Sequence, residues 1–234
     1  MKKSKILVFT YGNINCHYGC SFHNLLDLTN PSKEEYCKVH GYDFLCKREL
    51  FHNSFEDVGW EKIKIINEQI DNYDYIFYVE CDAIIMNHTI KIENLVDDNY
   101  DIVIGRGLND PPEKYHVNCG SFIIRCSDWT KSFMKKLYEE RDVKNPNYPS
   151  NWAEQGAIIG ELSESPEIRK HFKITHLRYL NSYYRPDSPY DTFRMGDFVL
   201  HAVGMPNETR ERLLRECKDK YIKMPNIQLE TPCI

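Results

Sequence analysis

Apolar positions in this chain fall into short runs separated by polar, helix-periodic stretches. Residues 5–9 (KILVF) form a β-branched run that ends at Tyr11-Gly12-Asn13, which predicts a buried first strand and a turn. Residues 31–40 read as a helix, with Pro31 in its first turn and Gly41 just past its end. Residues 42–45 read as the next strand. Ile63, Ile66 and Ile70 recur at spacings of three and four, so residues 60–70 read as an amphipathic helix. Residues 73–79 (YDYIFYV) are aromatic and β-branched and predict a central strand. Further strands are predicted at 102–104 and 120–125, and Ser127 and Asp128 cap a helix over 129–141. Residues 144–150 read as a surface loop and 152–162 as a helix with Glu154 and Gln155 in its first turn. Residues 179–194 read as irregular, 198–201 as a short strand and 207–220 as a polar helix capped by Asn207. This alternation predicts a single three-layer α/β domain over residues 1–234, with no linker and no repeat.

Composition narrows the function. The net charge is −5 and the basic residues are dispersed, which argues against nucleic acid as a partner. No apolar run approaches the ~18–20 residues of a membrane span. The nine cysteines include no Cys-x-x-Cys pair and read as mostly reduced and buried. Together these features predict a soluble, cytoplasmic chain without a transmembrane segment. Cys16, His17, Cys20 and His23 are metal-binding residue types, but their spacing fits no ordinary zinc finger. Sixteen tyrosines are many for this length; Tyr pairs an apolar body with a polar tip, which suits a sugar- or base-binding cleft as well as ordinary packing.

The strongest chemical signal is the run YIFYVECDAIIM at residues 75–86. Glu80 and Asp82 flank one residue at the end of a buried strand, where an open α/β sheet binds ligands. Neighbouring carboxylates repel, and a divalent cation relieves that repulsion. An oxygen-rich set of this kind suits Mn²⁺ or Mg²⁺. The alternative is a strand-end turn with a capping Asp.

This acidic turn resembles the D-x-D motif of glycosyltransferases with the GT-A fold. The chain as a whole is similar to glycosyltransferase family 34, the galactosyl-, mannosyl- and xyloglucan xylosyltransferases. Five segments carry the likeness: residues 40–43 (HGYD), 60–62 (WEK), 78–86 (YVECDAIIM), 118–125 (NCGSFIIR) with Asp128 and Trp129, and 198–201 (FVLH). The resemblance implies a GT-A, Rossmann-like mixed sheet, mostly parallel and flanked by helices. It implies a retaining transferase that takes a nucleotide-sugar donor, UDP-linked in our reading, and a glycan or glycoprotein acceptor. By the same resemblance Asp82 and His201 would bind the metal, with Glu80 holding the metal through water or the donor ribose. Lys62 and Gly204 would lie against the donor, and Thr10, Tyr11 and Gly12 would line its base. Glu154 and Gln155 would sit beside the transferred sugar as catalytic residues, with Glu154 the one carboxylate to test as a nucleophile. Glu80 stands where the motif usually has Asp, and Pro206 stands near where a basic phosphate contact is expected; Arg185 or Arg194 would have to replace it. Two other readings share the same residues: an inverting GT-A transferase with a general base, and an inactive nucleotide-sugar- or glycan-binding module.

Overall fold

The computed structural model describes residues 3–12, 22–52, 57–107, 116–142, 153–185 and 192–223. All six residues of β1 (Ile6–Tyr11) are buried, the pattern of a strand covered on both faces. Helix α1 (Phe22–His40) leads to β2 (Asp43–Lys47), and α2 (Trp60–Gln69) leads to β3 (Tyr75–Val79) and the short β4 (Ala83–Ile85). Then come β5 (Ile102–Arg106), β6 (Val117–Arg125), α3 (Asp128–Glu139), α4 (Ala153–Glu164), α5 (Pro166–Arg169), β7 (Phe172–Thr175), β8 (Ser182–Tyr183), β9 (Val199–His201) and α6 (Asn207–Cys217).

Six strands form the central sheet in the order β2-β1-β3-β6-β5-β7. Only β6 runs antiparallel to its neighbours; the other pairings are parallel. The expected α/β class, with a mixed and mostly parallel sheet, is what the chain adopts. Helices α2, α3 and α4 cover one face, and α1 with a second, three-stranded sheet covers the other. The chain goes from β1 outward to β2 and returns to β3 on the other side of β1. That reversal leaves a crevice at the carboxyl ends of β1 and β3, where such sheets bind ligands.

The small sheet, β4-β9-β8, finishes the crevice. Ala83 pairs with His201, and Tyr183 pairs with the same residue from the other side. The residue just before β4 and the last residue of β8 are therefore brought to the end of β9. Opposite this edge, Asp101 accepts hydrogen bonds from Arg125 and Ser127 and faces His171 at 2.6 Å, tying β5, β6, α3 and β7 together. Trp129 stacks on His171 at 3.8 Å, a packing role, as is that of the buried Trp60.

Several boundaries differ from the sequence reading. Helix α1 begins at Phe22 rather than Pro31, which lies inside it. An interior proline costs roughly 3 kcal/mol. Burial of Leu25, Leu26 and Leu28 offsets it, since each fully buried leucine contributes roughly 1.5–3 kcal/mol. Gly41 does end the helix, with φ +69°. Asn207 is the first residue of α6, preceded at the cap position by Pro206, which supplies no side-chain bond. Ser127 caps α3 as expected, accepting from the Thr130 N–H. Residues 179–194 are not wholly irregular, since they contain β8. The loop at 144–150 and Cys16, His17 and Cys20 lie outside the described residues. No helix among the described residues is long and apolar enough to cross a membrane.

Candidate active site

A cleft of about 380 Å³ opens at the crevice. Tyr11 and Gly12 reach it from the end of β1, Glu80 and Asp82 from the turn after β3, and Lys62 from the first turn of α2. Glu154 and Gln155 reach it from the start of α4, His201 from the end of β9, and Gly204 from the turn beyond. The fold thus gathers nine of the ten residues singled out in the sequence. The tenth, Thr10, is fully buried and does not line the cleft; its hydroxyl accepts from the Lys33 ammonium beneath the wall.

Two charged clusters divide the wall. In the first, Lys62 donates to the Glu154 carboxylate at 2.5 Å and to the Cys119 carbonyl at 2.9 Å, with Glu80 at 3.9 Å. Its ammonium also lies 4.4 Å from the centre of the Tyr78 ring. Burial opposes the Lys62 charge, but the Glu154 and Glu80 carboxylates outweigh it and hold its pKa above the usual lysine value. Burial in turn raises the Glu154 carboxyl against the pull of Lys62. Gly59 leaves the room for this pair, because a Cβ there would press on the Glu154 carboxylate and on Ala153. Gln155 accepts from the Cys119 N–H at 3.0 Å, so its side chain fixes the first residues of β6. Glu80 accepts from the Tyr78 hydroxyl at 2.6 Å.

In the second cluster, Asp82 Oδ1 stands 3.0 Å from His201 Nε2, and Arg210 Nε stands 3.2 Å from Asp82 Oδ2. Burial acts to raise the Asp82 pKa; His201, Arg210 and Lys33 outweigh it and hold the carboxyl well below its usual range. Asp82 Oδ1 is nonetheless buried with no hydrogen-bond donor. That orphaned oxygen beside an imidazole nitrogen fits a divalent cation: two ligands bound at about 2.0–2.2 Å and near right angles stand roughly 3 Å apart. Glu80 does not join them. Tyr78 holds one of its oxygens and Lys62 attracts the other, and no group of three or more potential ligands gathers among the described residues.

Arg210 was not singled out in the sequence, where α6 reads as a solvated polar helix. Its guanidinium also donates to the Ala202 and Met205 carbonyls, and it is the basic group that lines the cleft beyond His201; Arg185 and Arg194 do not line it. Lys33 was missed as well. It is fully buried, donates to Glu80 O at 2.8 Å, and burial brings its pKa down to about 8.

Comparison with known proteins places this geometry. The chain is 25% identical over 191 residues to an uncharacterised alpha-1,2-galactosyltransferase of Schizosaccharomyces pombe, covering 67% of this chain and 54% of that one. It is 23% identical over 212 residues to a probable alpha-1,6-mannosyltransferase of Saccharomyces cerevisiae, covering 74% and 53%. The chain thus spans about half the length of these curated relatives. A solved glycosyltransferase involved in glycosylation of the major capsid of PBCV-1 superposes with a TM-score of 0.69 at 17% identity, covering 91% of this chain and 99% of that one. The fold is therefore of the GT-A type, as the acidic turn implied. Residues 34–187, well over half of the chain, match the family model described as "Protein of unknown function, DUF273", and the chain belongs to that family.

Proposed function

We propose that the protein is a metal-dependent, retaining glycosyltransferase that moves a sugar from a UDP-sugar to a glycan hydroxyl with an α-linkage. One observation carries the reading: Asp82, His201 and Arg210 converge at the carboxyl edge of a GT-A sheet from separate segments of the chain. The names of the similar yeast transferases support it. Asp82 and His201 would hold Mn²⁺ or Mg²⁺, which when bound neutralises charge on the departing diphosphate. Arg210, already directed at Asp82, supplies a second positive charge there. Tyr11 and Gly12 flank the base, and Glu154 and Gln155 border the transferred sugar. Every carboxylate on the cleft wall already faces a cation: Glu80 and Glu154 face Lys62, and Asp82 faces Arg210. Among the described residues none is left free as a nucleophile, which favours acceptor attack from the face the diphosphate leaves.

The test is nucleotide release from UDP-galactose, UDP-xylose and GDP-mannose, with Mn²⁺ and with a chelator. Release from one UDP-sugar, lost on chelation and restored by Mn²⁺, is expected, with an α-product by NMR. Chelator-insensitive release would remove the metal from the reading, and a β-product would remove retention.

The thiols bear on the compartment. Six cysteines among the described residues are free, with Cys37, Cys81 and Cys119 buried. A reducing, cytoplasm-facing location suits them. Thiol titration of the denatured, unreduced protein is expected to find most of the nine cysteines free. Four disulfides would point to a secretory lumen instead.

A further inference from the structure

His201 has two ring nitrogens, and only one of them can face the orphaned oxygen of Asp82 as a lone pair. A chain of hydrogen bonds decides which. The Gly120 N–H can only donate, and it donates to Asn118 Oδ1 at 2.8 Å. The same oxygen receives Asn181 Nδ2 at 2.6 Å. The Asn181 amide is thereby oriented, and its Oδ1 is left for His201 Nδ1 at 2.9 Å. An acceptor at that position requires a proton on Nδ1. Nε2 of the neutral ring is then an acceptor, 3.0 Å from the buried Asp82 Oδ1. A proton on Nε2 or a divalent cation must stand between these two groups, and a metal takes the proton's place when it binds.

The surroundings leave the ring little freedom. Asn181 is fully buried and His201 is 3% exposed. The Asn181 N–H is fixed on the Leu177 carbonyl at 2.8 Å. A Cβ at Gly120 would collide with the His201 ring, so glycine there lets the imidazole lie against β6.

We propose that Asn181 is a positioning residue which, oriented by Asn118, fixes His201 as the Nδ1–H tautomer and so presents Nε2 to a divalent cation shared with Asp82. Partners of this kind orient metal-binding histidines, and their loss typically weakens metal affinity 10–100-fold. The inference rests on the reading of Asp82 and His201 as a metal pair, and the test separates the two.

Mn²⁺ binding to the full chain is measured by electron paramagnetic resonance without donor, and the His201 tautomer by ring ¹⁵N chemical shifts in the metal-free protein. The wild type is expected to bind Mn²⁺ and to carry a proton on His201 Nδ1. Asn181→Ala is expected to bind Mn²⁺ at least ~10-fold more weakly, with mixed tautomers. Asn118→Asp keeps an acceptor for both N–H groups and is expected to retain the wild-type tautomer. An Nε2–H tautomer in the wild type, or full Mn²⁺ affinity in Asn181→Ala, overturns the inference. A wild type that binds no Mn²⁺ overturns the metal reading beneath it. The wild-type ring measurement needs no variant, so it decides the tautomer even where Asn181→Ala does not fold.

Discussion

Asp82→Asn is expected to lower turnover by at least about 10³-fold, close to 4 kcal/mol of transition-state stabilisation. The amide matches the carboxylate in volume, so packing at this 5%-exposed position is kept. What is lost is the one negative charge that meets both His201 and Arg210. Without it a cation has only the imidazole to bind, and Arg210 loses the partner that aims it into the cleft. The metal reading adds a second, independent readout. A ligand that binds only the folded state stabilises it by roughly 2.7 kcal/mol at a hundred times its dissociation constant. Mn²⁺ should therefore raise the melting temperature of the wild type and leave that of Asp82→Asn unmoved. Normal turnover in the variant, or a Mn²⁺-induced shift equal to the wild type's, would sink the assignment of Asp82.

The part of the site legible in the sequence is the part that lies on strand ends. Glu80 and Asp82 follow a run too apolar to be anything but a buried strand, so their charge had to emerge at a sheet edge. His201 gave no such signal of its own, since a histidine ending FVLH is ordinary; only the resemblance to known transferases marked it. The motif around Asn118 and Gly120 carried more than its local geometry could show. Asn118 is a turn-like residue by type, and its partner Asn181 lies 63 positions away in a stretch without periodicity. Gly120 is explained only by the His201 ring, which arrives from the second sheet.

Arg210 and Lys33 were illegible for opposite reasons. Arg210 belongs to a helix whose residues are mostly charged, where any one of them reads as solvated. Lys33 lies in the same helix as Pro31, and the proline concealed that the helix extends to Phe22 and passes beneath the sheet edge. The small sheet was legible only in part: the strand read at 198–201 is β9, but β4 and β8 have three and two residues, and no pattern can be read over that length.

Glu154→Ala is expected to destabilise the protein by about 3–5 kcal/mol, because it leaves Lys62 charged and buried without its nearest partner. Two sizes compete in this argument. A glutamate that only complements the dipole of its helix is worth roughly 0.3–1 kcal/mol. An ion pair at 2.5 Å, with side chains 3% and 7% exposed, belongs to the larger class. At about 2–4 °C per kcal/mol for a chain of this size, the larger value corresponds to a fall of roughly 6–20 °C in melting temperature. Glu80, at 3.9 Å from Lys62, recovers part of the loss and favours the lower half of that range. Removing both charges separates stability from chemistry. Lys62→Met with Glu154→Leu fills the same space without a buried ion, and pairs replaced this way are often neutral or stabilising. The double variant is expected to regain most of the melting temperature yet stay at least tenfold slower, since the cleft wall beside the donor has lost its cation and its carboxylate. Thermal unfolding of Lys62→Met, of Glu154→Leu and of the double variant completes the cycle. A single-variant loss below 1 kcal/mol would reduce Glu154 to a helix-end charge, and full turnover in the double variant would remove both residues from the chemistry.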